Sequence, residues 1–224
     1  MRCLFTLSVF VALMASCATN PPVIINGPQL LPVDESNNPL VSAFMDEFRQ
    51  AIQTKDADWV IAHLDENVWS SFGGDGGIDE FIEHYKLREP DSFLWDVIET
   101  VFDLGATLGR IRDELHFTAP YVFSRFPKDY DAFFYSAVIV PDALMYSLPN
   151  DASDVIGALN YSVVKTAFKE DRGEKHENGF QKVETIDGQL GWVRDEYIRS
   201  PLEHRIVIKE TPGGWKITAL VEGD

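Results

Sequence analysis

Apolar residues recur at helical spacing through the first half of the chain and at strand spacing through the second. Phe44, Phe48, Ala51 and Ile52 share one helical face, and Asn38-Pro39 reads as a helix start. Asp56 is placed to cap a short second helix carrying Trp59, Val60 and Leu64. Ile78, Phe81, Ile82 and Tyr85 keep the same period. So do Leu94, Val97, Ile98, Val101 and Phe102, with Asp91 or Ser92 as cap and Gly105 as stop. Thr118 to Phe123 and Pro127 to Tyr130 read as loop and short extended pieces. Residues 39–130 are therefore expected to form a mostly helical domain.

From Ala132 the pattern turns to strands. Phe133 to Val140, Leu144 to Pro149, Val155 to Leu159 and Val163 to Phe168 are candidates, followed by a polar loop, Lys169 to Asn178. Phe180 to Thr185 leads into Asp187-Gly188, a hairpin signal, and Gly191-Trp192-Val193 resumes the strand before Tyr197-Ile198 closes it. A glycine directly before a large aromatic implies close backbone approach. The runs LMYSLP, VIGAL and GFQKV…GWV…YI resemble the bacterial SH3-like domain family over about residues 133 to 201. The family's arginine and glycine positions are Ser147 and Leu148 here, and its tryptophan before "K-V" is Phe180. The resemblance implies a small β-barrel over 131–201. Arg205 to Val221 adds two strands about Pro212-Gly213-Gly214. A lone hairpin is marginal, so it must extend the barrel or cover the helices. Ser200-Pro201 breaks the preceding strand, which favours the second arrangement, with 202–224 packing Trp215 on the helical domain. The expected class is α+β: a mostly helical N-terminal region, an SH3-like barrel and a C-terminal hairpin. Its layout is similar to that of nuclear transport factor two-like domains with a barrel inserted before the last hairpin.

The N-terminus changes the picture of where this body works. Arg2 and the apolar run Leu4 to Met14 have the form of a secretion signal, too short for a mature membrane span. Leu13-Met14-Ala15-Ser16-Cys17 resembles a bacterial lipobox, with methionine where leucine is commoner. The resemblance implies removal of residues 1–16 and lipidation of Cys17, with the membrane as partner through that anchor. An ordinary signal peptide cut near Ala15 or Ala18 is the alternative, leaving a soluble periplasmic protein. Ala18, rather than aspartate, follows the cysteine, which in enterobacterial sorting implies the outer membrane, periplasmic face. Cys3 and Cys17 are the only cysteines, so the mature chain forms no internal disulfide. Residues 17–38, with Pro21, Pro22, Pro28 and Pro32, read as a tether.

Net charge is −17, from 36 acidic and 19 basic residues, which argues against a nucleic-acid partner. No free cysteine or G-x-S-x-G elbow offers a nucleophile, and the histidines His63, His84, His116, His176 and His204 lack metal-ligand spacing. No cofactor is implied. The run SSFGGDGG, Ser70 to Gly77, lacks the Lys-Ser/Thr ending of a phosphate loop and reads as a turn. Tyr146, Trp192 and Tyr197 are candidates to line a groove, with Asp195 making it acidic. Core packing is the alternative role for Trp192. The expected function is non-enzymatic: a cell-envelope lipoprotein binding a peptidoglycan peptide or an envelope protein. The alternatives are a cell-wall glycan hydrolase using scattered carboxylates and a purely structural assembly protein.

Overall fold

A computed structural model describes residues 21–168 and 173–223. The signal segment and Cys17 lie outside the described residues. In the N-terminal half, α1 (Ser42–Thr54) buries Phe44, Met45, Phe48, Ala51 and Ile52 along one stripe. The Asp56 carboxylate accepts the Trp59 N–H at 2.9 Å and starts α2 (Ala57–Ala62). The chain then forms β1 (Leu64–Trp69), α3 (Ile78–His84) and α4 (Leu94–Asp103). The Ser92 hydroxyl accepts the Leu94 N–H at 3.3 Å. A hairpin follows, β2 (Thr107–Ile111) and β3 (Glu114–Ala119), then the short α5 (Tyr121–Arg125).

The middle of the chain supplies β4 (Tyr135–Val138), β5 (Ala143–Tyr146), β6 (Val155–Leu159), β7 (Val163–Lys165), β8 (Ala167–Phe168), β9 (Gly173–Glu174), β10 (His176–Glu177), β11 (Phe180–Glu184), β12 (Leu190–Arg194) and β13 (Ile198–Arg199). The last two strands are β14 (Arg205–Thr211) and β15 (Gly214–Val221). The segment Lys169 to Asn178, expected as a loop, thus carries two short strands in its described part.

The expected class is corrected by this architecture. Among the described residues strand exceeds helix, 35% against 22%, so the fold is mostly β and its N-terminal region is not mostly helical. Residues 64–69 and 107–119 are strands of a five-stranded sheet ordered β1-β15-β14-β3-β2. The C-terminal hairpin is the middle of that sheet rather than an accessory to helices. The helices cover one face of it. Phe48, Phe81, Leu94, Trp95 and Ile98 share a core with Phe117, Ile206, Ile208, Ile217 and Leu220. The Tyr85 hydroxyl, fully buried on that face, donates to the Leu220 carbonyl at 2.8 Å. Trp215 is half-buried; its indole N–H donates to the Leu40 carbonyl at 3.1 Å, and its ring lies 6.4 Å from that of Phe44.

The middle strands form a second sheet ordered β13-β4-β7-β11-β12-β5-β6, with β10 pairing on β11; β8 and β9 pair separately. Val138, Met145, Leu159, Val164, Val183, Val193 and Ile198 come from strands all along this order yet meet in one core. The sheet therefore curls over a common interior. Gly191 permits this: a Cβ there would stand 2.5 Å from Met145 Cε and 3.0 Å from Ile156 Cδ1.

Residues 22–36, read from the sequence as tether, lie on the fold as a strap. Ile24 bridges Ala158 in parallel and Gln29 bridges Ser162 antiparallel. The strap continues to the other sheet, where the Glu35 N–H donates to the Ala106 carbonyl at 2.9 Å. A second joint lies between β13 and β14. Buried Arg205 donates to the carbonyls of Leu202 and Gly223 and stacks on Phe123. Arg199 pairs with Glu203, whose other oxygen accepts the Ser200 N–H at 2.8 Å.

Candidate functional site

Alternation along β12 buries Gly191 and Val193 and turns Trp192 and Arg194 outward. Trp192 sits opposite Tyr146 of β5, and Arg194 opposite Phe180 of β11. The Tyr146 ring meets Phe180 edge-on at 5.6 Å, and the Arg194 guanidinium lies 5.3 Å from the Phe180 centroid. The turn joining β4 to β5 carries Pro141 and Asp142, the latter left-handed at φ 51°. Together these elements enclose a cleft of about 400 Å³. Tyr146 and Tyr197 stand on its wall with Arg194, Asp142, Val140 and Pro141.

Tyr197 enters because the chain makes a single 3₁₀ turn, Asp195–Tyr197, directly after β12. Arg194 is paired with Asp151, which holds its guanidinium pKa above the ordinary value. Burial, helped by the charge of Asp151, pushes the Tyr146 phenol up. The cleft thus offers two phenols, a guanidinium and one carboxylate around an apolar floor.

Of the four candidate residues, the structure brings Tyr146 and Tyr197 to the cleft. Trp192 is half-buried on the same face of the sheet, with the Lys175 ammonium 5.5 Å from its ring, and lies outside both the cleft and the sheet's core. Asp195 is bound by His176, Oδ1 to Nδ1 at 2.8 Å, while the other ring nitrogen lies 3.4 Å from Glu174. The groove is therefore of mixed charge. Arg194 and Asp142 were not singled out in the sequence. Arg194 could have been, because it continues the alternation of Leu190 and Trp192; Asp142 depends on a turn that only the fold defines.

The other candidates have structural roles. The Ser70 to Gly77 run closes on Glu80, whose carboxylate accepts the Gly76 N–H at 2.9 Å and hydroxyls from Ser70 and Ser71. The Gly76 amide leads the contacts that lower the Glu80 pKa. His63 stacks on Trp59 at 3.8 Å and bonds the Trp59 carbonyl through Nδ1 at 2.8 Å. A further cleft of about 340 Å³ gathers Asp34, Ser36, Arg49, Glu99 and Asp103. Three of its polar groups bond one another: Arg49 donates to Ser36 at 2.6 Å, and Ser36 to Asp34 at 3.1 Å.

Among the described residues no helix is long and apolar enough to cross a membrane. Comparison of the chain with protein-family models, curated proteins and solved structures returns no match.

Proposed function

We propose that the protein is a non-enzymatic cell-envelope lipoprotein, anchored through Cys17, whose middle sheet binds a short cell-wall peptide. The observation that carries this reading is the cleft between Tyr146 and Tyr197, with Arg194 and Asp142 on its wall. Phenol rings suit an extended peptide, as in other aromatic-lined grooves. A guanidinium forks onto a carboxylate, and Asp142 supplies the opposite charge for an amine. Peptidoglycan stem peptides carry carboxylates and, in many bacteria, a free amine. The resemblance of this stretch to bacterial SH3-like domains supports the same ligand class. The Arg194–Asp151 pair is exposed at the surface, where solvent screens it, so a ligand carboxylate can displace it.

The test is retention on purified peptidoglycan at physiological salt. Wild type should be retained, and Arg194→Ala and Tyr197→Ala should each weaken retention. Each loss should be on the order of 10-fold. No retention of the wild type, or equal retention of the variants, refutes the peptide ligand; cross-linking in the intact envelope would then reveal a protein partner. The anchor is tested separately. Cys17→Ser should move the protein from the membrane to the soluble fraction and remove the acyl mass.

A further inference from the structure

We infer that the end of the middle sheet where the strap enters rests on the surface of a bilayer of zwitterionic phospholipid, with four apolar side chains among the headgroups. This inference rests on the lipid anchor at Cys17 and adds an orientation to it.

Topology puts the four side chains together. β5 is antiparallel to both β6 and β12, and β12 is antiparallel to β11. The end of β11 and the starts of β6 and β12 therefore share one end of the sheet, where the Gln189 side-chain amide donates to the Ile156 carbonyl at 3.5 Å. Val155 begins β6, Ile186 lies in the turn after β11, and Leu190 begins β12. The strap runs parallel to β6, the Ala158 N–H donating to Val23 and the Ile25 N–H to Ala158. Its first residues, with Val23, thus enter at that same end. All four side chains are well exposed, from 45% for Val155 to 76% for Val23. Exposed apolar residues gathered at one end of a fold mark a contact surface.

The length of chain before the strap identifies the occupant. Six Cα steps separate Cys17 from Val23, at most about 20 Å of extended chain. An acylated Cys17 sits at the lipid interface. β6 and β12 are two strand spacings apart, about 10 Å, so Leu190 lies within that reach. A body of this size is on the order of 40 Å across, so its far side does not. Charge selects the lipid. Asp154, Asp187 and Glu184 lie at this end. Glu184 is paired with Lys165, and the Thr185 hydroxyl donates to Asp187. This acidic rim suits zwitterionic headgroups and repels anionic ones.

The test uses the full acylated chain in phosphatidylcholine vesicles. Once the signal is removed and Cys17 acylated, Leu190→Cys, Val155→Cys and Glu47→Cys each present a single thiol for a fluorophore. Glu47 is an exposed residue of α1. Brominated lipid should quench the probes at 190 and 155 several-fold more than the probe at 47. The difference should shrink in vesicles rich in phosphatidylglycerol. Equal quenching at all three positions with acyl mass present on Cys17 overturns the docking and leaves the anchor standing. So does self-association through this end without lipid quenching. Absence of acyl mass on Cys17 removes the anchor, and the docking falls with it.

Discussion

A single methyl group would tell whether the middle sheet needs its tight curl. At position 191 a Cβ would press on Met145, a fully buried side chain, at both Cε and Cγ, 2.5 and 2.7 Å away. The backbone there has no left-handed strain, so the cost is overpacking alone. Gly191→Ala should destabilise the protein by about 1–3 kcal/mol. Gly109, where a Cβ would meet nothing within 4 Å, is the control and should tolerate alanine. Urea denaturation of both variants checks this. The histidines give a second expectation at the same scale. Burial lowers the pKa of His116 and of His204, against the opposing charges of Glu114 and Glu222. A histidine held neutral in the fold stabilises it above its unfolded pKa of about 6.5, and that contribution is lost as pH falls toward the folded value. His176 has the opposite sign. Desolvation is its largest influence and pulls downward, but its bonds to Asp195 and Glu174 together outweigh it, so the net shift is upward. Its contribution is complete below about pH 6.5 and fades as pH rises through the folded value. The melting temperature should therefore fall as pH drops below about 6.5, as the partly buried His116 and His204 take up protons. His116→Phe should lessen that fall. An unchanged slope would mean that carboxylates, not His116, set it.

Among the elements, the β2–β3 hairpin turns on Arg112 and Asp113, both left-handed, at φ 51° and 69°. A two-residue turn of this hand favours Asn-Gly or Asp-Gly, and side chains other than glycine's are strained there. Asp113→Gly should raise stability by about 0.5–1 kcal/mol in thermal melts, because the relief of strain exceeds the added freedom of the unfolded chain. The same turn explains why 107–119 did not read as a hairpin: its sequence, Arg-Asp, carries no glycine or asparagine. β1 was hidden for another reason. Asp65, Glu66 and Asn67 are weak strand formers, and the segment is held in the sheet by parallel pairing with β15, about 150 residues away in sequence. The helices were more legible. The buried stripes of α1 and α4 follow their apolar period, and the Asp56 cap needs only its neighbours.

At the scale of the molecule, β14 and β15 are the middle pair of the N-terminal sheet, flanked by β3 and β1. Deleting residues 204–224 should therefore remove protease resistance from 42–125 and leave it over 135–199, as read by limited proteolysis and mass spectrometry. Loss confined to 135–199 would show that the hairpin supports the other sheet. The sequence by itself determined the helical stripes, the switch to strands after Ala132, the hairpin about Asp187-Gly188 and the two phenols of the cleft. Each is a local matter, set by side-chain period or by turn chemistry within a few residues. Only the tertiary structure decided that the N-terminal half contributes three strands, that β14 and β15 are their centre, and that residues 22–36 are bonded to both sheets. The same holds for the site. Asp195 sits on His176, Trp192 lies outside the core, and Arg194 and Asp142 stand beside the tyrosines because strand pairing and one turn bring them there. A period in the chain fixes which face a residue takes, whereas its partners are fixed by contacts between segments far apart in sequence.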